Sequence, residues 1–135
     1  MNMEIREYKN DNEKEILDLY TAAGWIAYTE NPAALRQGFE RSLLVLAAYE
    51  ESRLLGIIRV VGDGATVVFI QDILVYPEHR RKGVGTALLQ AVLDRYQNVR
   101  QIELVTDNTE DTVAFYRSMG FKDLSELGCR GFMKA

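Results

Sequence analysis

The stretch QDILVYPEHRRKGVGTALLQAVL, residues 71–93, contains the change of pattern that decides the fold of this chain. Before Pro77 it is an apolar run typical of a buried strand, and from Val84 the apolar residues recur at the spacing of one helix face. Between the two lies a cationic loop with two glycines, which begins at the only histidine, His79. A strand, a glycine-containing loop and a helix N-terminus in this order suit a phosphate cradle, and a solvated charged turn fits the same residues equally well.

Hydrophobic periodicity predicts a mixed, mostly antiparallel α/β sheet of about six to seven strands, flanked by about four helices. Hairpin-sized breaks join three strand-like runs into a meander, and the third run, apolar almost throughout, is expected to be the central strand. The helix after it predicts a parallel return strand, joined by a right-handed crossover. Strands are predicted over residues 3–8, 43–50, 54–62, 66–76, 100–106, 121–124 and 131–134, and helices over residues 11–23, 32–42, from 84, and 109–119.

Composition limits the functional classes. The 135 residues, 47% of them hydrophobic, suit a single domain over residues 1–135. The net charge of −4 argues against a nucleic-acid partner. One cysteine and one histidine argue against a metal site. No apolar run approaches the roughly 20 residues of a membrane span, and the first residues lack the apolar core of a signal peptide, which predicts a cytoplasmic protein.

The loop and its surroundings resemble the signature of the GNAT superfamily, the N-acyltransferases that use acyl-coenzyme A. The family loop reads Gln/Arg-x-x-Gly-x-Gly/Ala, matched by RRKGVG (80–85), and the strand before it commonly ends in Val-x-Pro-Glu, matched by VYPE (75–78). A second segment, AFYRSMGF (114–121), resembles the family block that ends Phe-Tyr-x-x-x-Gly-Phe. Both blocks stand in order, about 30 residues apart, so the resemblance covers nearly the whole chain.

The resemblance implies an N-acetyltransferase with acetyl-CoA as donor and an amine as acceptor, and it allows a homodimer. The family holds the coenzyme A pyrophosphate on the loop backbone and pairs the pantetheine arm with the end of the central strand. A backbone N–H of Leu74 or Val75 would hold the oxyanion. The implied cofactor-binding residues are Ile73, Leu74, Val75, Arg80, Arg81, Lys82, Gly83, Val84, Gly85, Thr86 and Asn108.

Asn108 departs from the family pattern. The family often has Asn seven residues before the tyrosine and Ala four before it, and here those positions hold Thr109 and Thr112. Asn108 therefore either contacts the cofactor or, with Asp111, caps the following helix, and the cap is the favoured interpretation.

The catalytic candidates are Tyr116 and Asp72. Tyr116 matches the family's general acid for the departing thiolate, and the alternative is a tyrosine packed in the core. Asp72 is a carboxylate on an otherwise apolar strand, so it is either the base for the amine or a structural hydrogen-bond partner. His79 is expected to be an exposed loop residue and not a base.

The segment GWIAYTENP, residues 24–32, is expected to be a loop between the first two helices, where the family builds its acceptor site. Trp25, Tyr28 and Glu30 combine aromatic rings with a carboxylate, which suits a cationic amine. The alternative is ordinary packing of the two aromatic residues. A non-catalytic acyl-CoA-binding module on the same fold also remains open.

Overall fold

The computed structural model describes residues 2–135 and contains one five-stranded mixed sheet with strand order β1-β2-β3-β4-β5. Neighbouring strands are antiparallel from β1 to β4, and β5 runs parallel to β4. The strands are β1 (Met3–Glu7), β2 (Leu44–Glu50), β3 (Arg53–Gly62), β4 (Val67–Val75) and β5 (Gln101–Leu104). The helices are α1 (Glu13–Ala22), α2 (Ile26–Thr29), α3 (Pro32–Glu40), α4 (Val84–Arg95) and α5 (Glu110–Ser118).

The meander, the parallel return strand and four of the helices are where the sequence predicts them, but the number of strands, the two terminal strands and the central position of the third run are predicted wrongly. The sheet has five strands and not six to seven, because neither terminal segment is a strand. Residues 121–124 lead into a short 3-10 helix, Leu124–Leu127, where Asp123 and Glu126 form a capping box, and residues 131–134 are irregular. Local capping bonds replace a strand ladder there. The third run, β4, is one strand away from the centre, because only β5 lies beyond it.

The first two long helices begin where their caps predict. Asn12 accepts a hydrogen bond from the Glu15 N–H at 3.2 Å, and Asn31 caps α3 ahead of Pro32. Between them the predicted loop contains the single-turn helix α2. The apolar faces of α1 and α3 pack with β2, β3 and β4 into one core cluster that includes Tyr20, fully buried.

Strands β2 and β3 are buried along most of their length without alternation, which requires cover on both faces of the sheet. The cluster with α1 and α3 covers one face, and the buried side of α4, which contacts β1 to β4, covers the other. At Gly56 strands β3 and β4 approach closely, since a Cβ there would lie 2.4 Å from the Leu74 carbonyl oxygen. This contact fixes the C-terminal end of β4.

The chain divides into two compact units, the second of which is Thr106–Ala135. In that unit Thr109, and not Asn108, caps α5, since its side chain accepts from the Thr112 N–H. The capping prediction for Asn108 is therefore wrong by one residue, and a β-region Thr109 satisfies the helix N-terminus instead. No helix within residues 2–135 is long and apolar enough to cross a membrane.

Candidate active site

The loop after β4 delivers an open helix N-terminus. Gly83 is in the left-handed conformation with φ +83°, and α4 begins at the next residue without a side-chain cap. A Cβ at Gly83 would have nothing within 4 Å, so the space beside the loop is empty. The exposed cations Arg80, Arg81 and Lys82 precede it, and none of them takes part in an ion pair within residues 2–135. Uncapped N–H groups and nearby positive charge suit this loop to an anion.

Arg81 is held in an unusual backbone conformation for a residue with a side chain. Its φ is +64°, in the left-handed region that favours glycine. An L-residue there costs about 1–2 kcal/mol. The loop is therefore fixed in one shape at an energetic cost, as is common where a backbone must meet a ligand.

His79 is buried, which corrects the expectation that it is exposed. It ends a 3-10 helix, Pro77–His79, whose turn leaves Glu78 outside and carries the imidazole inward to 7% exposure. Neither ring nitrogen has a hydrogen-bond partner among the described residues. His79 therefore anchors the start of the loop as a packed side chain.

Strands β4 and β5 pair over four residues only, and the last pair is Ile70 with Leu104. Beyond it, β4 continues to Val75 without a parallel neighbour in the sheet. The Tyr76 N–H donates to the Leu55 carbonyl of β3 at 2.9 Å. Because N–H groups alternate in direction along a strand, those of Ile73 and Val75 point away from β3. This leaves an unpaired strand edge next to the cradle.

A β-bulge between β3 and β4 lies at the point where β4 and β5 cease to pair. Arg59 pairs with Asp72 and Val60 with Ile70, so Gln71 has no opposite residue on β3. Its side-chain amide donates to the Tyr28 hydroxyl at 3.2 Å. Bulges re-aim side chains, and this one ties β4 to helix α2.

Asp72 is the centre of a buried polar network. It is 1% exposed, and it accepts hydrogen bonds from the Tyr20 hydroxyl at 2.7 Å and from Arg59 Nε at 2.8 Å. The Tyr28 hydroxyl donates a longer bond, 3.4 Å, to its other oxygen. Burial and the neighbouring Asp72 charge raise the pKa of Tyr20, which stays a donor. Of the two roles that the sequence left open for Asp72, this geometry favours the structural hydrogen-bond partner.

The aromatic residues of the first inter-helix segment are brought together. The rings of Trp25 and Tyr28 are stacked, with centroids 5.6 Å apart and planes at 18°, and Tyr20 meets both edge-on. Trp25 is 37% exposed, and Glu30 is an exposed residue that ends α2. The stacked rings of Trp25 and Tyr28 are therefore partly exposed to solvent, and the Tyr28 hydroxyl accepts a hydrogen bond from Gln71 at the β4 bulge.

Sequence reasoning missed Tyr20, Arg59 and Gln71. Arg59 had a visible signal, because it is the one charge within the apolar run LLGIIRVVG, and the candidate Asp72 is the one charge within the next run. Opposite charges on adjacent buried strands predict a pair. Gln71 had no such signal, since a bulge depends on backbone register.

Tyr116 lies in the second compact unit, near the end of α5. It is 8% exposed, and its ring meets Phe115 and Phe121 edge-on at 5.0 and 5.8 Å. Burial raises its pKa to about 12. Its hydroxyl makes no hydrogen bond within residues 2–135, so the proton is free for a ligand.

A separate cavity of about 100 Å³ opens between α1 and α3. Its floor includes Leu35 and Phe39, and the Glu13–Arg36 ion pair lies at its rim. None of the residues predicted to bind donor or acceptor lines it. No group of three or more potential metal ligands was found within residues 2–135.

The uncapped start of α4 beside a β4 edge that β5 leaves unpaired is the arrangement expected of an acyl-coenzyme A-dependent transferase. A model of the Acetyltransferase (GNAT) family matches residues 6–121, and the chain belongs to that family. A GNAT family acetyltransferase from Streptococcus pneumoniae is 35% identical, with a TM-score of 0.89, over 99% of this chain and 98% of that one.

More distant relatives agree in fold or in part of the sequence. The PaiA N-acetyltransferase of Thermoplasma acidophilum, solved with coenzyme A, is 19% identical over 90% of this chain and 91% of that one, with a TM-score of 0.74. The chloroplastic GCN5-related N-acetyltransferase 2 of Arabidopsis thaliana is 35% identical over 54% of this chain and 28% of that protein. The chain spans about half or less of the curated relatives that it matches at 31% identity or above.

Proposed function

We propose that this protein, with residues 1–135 as one functional domain, transfers the acetyl group of acetyl-CoA to a primary amine. The observation that carries the proposal is the uncapped N-terminus of α4 beside the unpaired end of β4. The first suits a pyrophosphate, and the second offers N–H and C=O groups to an extended pantetheine arm. The coenzyme A in the T. acidophilum structure supports the same donor on this fold.

In this proposal the cradle residues bind the donor through backbone and charge. The N–H groups from Arg81 to Thr86 hold the pyrophosphate, and Lys82 and Arg80 add positive charge. The pantetheine amides pair with Ile73 to Val75. Of the two oxyanion donors that the sequence suggests, Val75 is the better one, because its N–H points away from β3 whereas that of Leu74 shares the direction of the bonded Tyr76 N–H. Asn108 stays a candidate contact of the donor.

The reaction forms a C–N bond and breaks the C–S bond of the thioester. A primary amine with a pKa of about 10.4 must lose a proton before it attacks. Asp72 remains a candidate base, but its two buried donors oppose that role, so water-mediated proton loss is the better route. Tyr116 donates a hydrogen bond to the leaving thiolate, and a proton that the amine nitrogen loses on amide formation, passed through water, completes the coenzyme A thiol.

The acceptor amine is proposed to enter beside Trp25, Tyr28 and Glu30. Two aromatic faces and a carboxylate favour a cation with an apolar body. Whether the amine belongs to a small molecule or to a protein is decided by experiment.

The test is calorimetric titration with acetyl-CoA, followed by a screen of small amines and of peptides with free amino groups. Product mass is the readout, because the exposed Cys129 would react with thiol reagents that detect coenzyme A release. Binding with turnover supports the transferase. Binding without turnover on any amine would favour the non-catalytic module, and no binding would overturn both.

A further inference from the structure

One hydroxyl is shared by two consecutive residues of β4. The Tyr28 hydroxyl lies 3.2 Å from the Gln71 side-chain nitrogen and 3.4 Å from Asp72 Oδ1. In a regular strand, consecutive side chains point to opposite faces of the sheet, so only one of the two could reach this group. The bulge leaves Gln71 without an opposite residue on β3 and brings its side chain to the side of Asp72. The bulge therefore builds a three-residue contact around the hydroxyl.

The chemistry of the three groups fixes the direction of each hydrogen bond. The Asp72 carboxylate is the ion-pair partner of Arg59 and can only accept hydrogen bonds. A hydroxyl has one proton and two lone pairs, so the Tyr28 proton faces Asp72 and one lone pair faces the Gln71 amide. The second lone pair meets no donor within residues 2–135. Tyr28 therefore offers one hydrogen-bond acceptor position to a ligand.

Gln71 is the group that keeps the hydroxyl in this orientation. The Tyr28 ring is held in place, since it stacks on Trp25 and meets Tyr20 edge-on. The hydroxyl proton can still rotate about the C–O bond. The bond to Asp72 is long, at 3.4 Å, and holds this proton only weakly by itself. The Gln71 amide adds a second fixed point, because a hydroxyl that turns its proton away from Asp72 loses the bond from Gln71 as well.

We propose that Gln71 is a positioning residue that determines which nitrogen groups the acceptor site takes. It fixes the Tyr28 hydroxyl as a hydrogen-bond acceptor, and the site therefore selects an ammonium group with at least one N–H. This inference rests on the proposed function, in which the acceptor amine enters beside Trp25 and Tyr28. The hydroxyl donates to a carboxylate, which polarises it and strengthens the bond that it accepts.

The oriented hydroxyl adds a selectivity that the aromatic rings lack. Ring faces attract any cation, including a quaternary ammonium group that has no N–H. A lone pair in a fixed direction stabilises only a nitrogen that can donate to it. The ligand class is therefore a protonated primary amine with an apolar body, and its fully methylated counterpart is disfavoured. Gln71 lies two residues before Ile73, about 7 Å along the strand, so the bound nitrogen is close to the proposed path of the thioester.

The first test removes the amide donor and the hydroxyl separately and together. Gln71→Met keeps the length of the side chain but cannot donate, and it should raise the KM for the amine about tenfold while acetyl-CoA affinity stays unchanged. Tyr28→Phe should have a similar effect. Because Gln71 acts through the hydroxyl, Gln71→Met should add nothing in the Tyr28→Phe background. Gln90→Met is the matched control, since the Gln90 amide donates to Asp94 on an exposed part of α4.

A pair of probes tests the selectivity without turnover. 2-Phenylethylamine is protonated at neutral pH, and its N,N,N-trimethyl derivative has the same ring and charge but no N–H. NMR titrations that follow the backbone amides around residue 71, with coenzyme A present, give both affinities. Wild-type protein and Gln90→Met should bind the primary amine about tenfold more tightly than the trimethyl derivative. In Gln71→Met and Tyr28→Phe this ratio should fall to about one or below, because only the ring faces then attract the cation.

The hydrogen bond itself is tested in the free protein. The NMR signals of the Gln71 side-chain amide should shift in Tyr28→Phe, whereas those of Gln90 should not. Unshifted Gln71 signals, additive effects of the two substitutions, or a probe ratio in Gln71→Met equal to that of wild type would each overturn the proposal. So would a wild-type protein that binds both probes equally or binds neither. Absence of turnover on every amine would instead overturn the proposed transferase, and the probe ratios would still decide the role of Gln71.

Discussion

Arg59 Nε and Asp72 Oδ2 lie 2.8 Å apart, and their side chains are 7% and 0% exposed. The two residues are cross-strand neighbours at the last register pair before the β4 bulge. Arg59 also donates to the Ser42 hydroxyl at 3.2 Å, and Asp72 accepts from Tyr20. The ion pair thus joins α1, β3, β4 and the end of α3 beneath the candidate acceptor site.

Removing one member of this pair should destabilise the protein severely. Asp72→Leu leaves a buried guanidinium without its carboxylate, and about 3–5 kcal/mol of unfolding free energy should be lost. Urea denaturation measures it. Arg59→Met/Asp72→Leu removes both charges and should recover part of the loss. A single variant within 1 kcal/mol of wild type would mean that water or another group satisfies Arg59.

Gly83→Asp should abolish acetyl-CoA binding while the fold survives. The substitution adds backbone strain and an anion where the pyrophosphate is proposed, but it meets no protein atom within 4 Å. Gly128→Asp is a matched control, since Gly128 also has a positive φ, +75°, and open space. Calorimetry should show lost affinity for the first variant only. Equal affinities in both variants would remove the cradle assignment.

Tyr28→Phe should raise KM for the amine and leave acetyl-CoA affinity unchanged. The change keeps the stack with Trp25 but removes the hydroxyl that accepts from Gln71 and donates to Asp72. Tyr8→Phe is the control, because its hydroxyl accepts from the Asn12 N–H instead. Glu30→Gln should raise the same KM if the acceptor is cationic. Equal effects on both substrates would argue against a specific acceptor site there.

Tyr116→Phe should lower kcat within or somewhat below the range of about 100- to 10,000-fold that general acid catalysis supplies. Its hydrogen bond to sulfur strengthens as charge builds in the transition state, so KM should change less than kcat. Steady-state kinetics gives kcat and KM, and a parallel titration with acetyl-CoA shows whether donor binding is unchanged. Unchanged kcat would leave Tyr116 as core packing.

The raised pKa of Tyr116, about 12, also predicts a loss of stability in alkali. The folded state holds this proton more tightly than the unfolded chain, where a tyrosine pKa is about 10. The stabilisation is therefore complete below pH 10 and is lost as the pH rises towards 12. Urea midpoints between pH 8 and 11.5 should fall less steeply in Tyr116→Phe than in wild type. Parallel curves would contradict the burial of the phenol.

Much of the first unit could be predicted because its signals are local. Asn12, Asn31 and Pro32 mark helix starts through side-chain capping and ring geometry, which act within three residues. The bulge at Gln71 depends on strand register. The burial of His79 depends on a turn that carries its side chain inward. Neither feature has a signal in the neighbouring sequence. The terminal strands were predicted wrongly because two short segments with apolar residues were assigned to strands, while the capping bonds of Asp123 and Glu126 define a different local structure between them.

The position of Trp25 has a practical consequence. It is the only tryptophan, and its partly exposed ring stacks on Tyr28. The Tyr28 hydroxyl in turn accepts a hydrogen bond from Gln71 of β4. The fluorescence of Trp25 therefore comes from one site, next to a stacked ring and partly open to water. An amine that settles against this pair would change the emission before any acetyl group moves. Acceptors can thus be ranked by an optical titration of the unlabelled protein, even those that bind and never react.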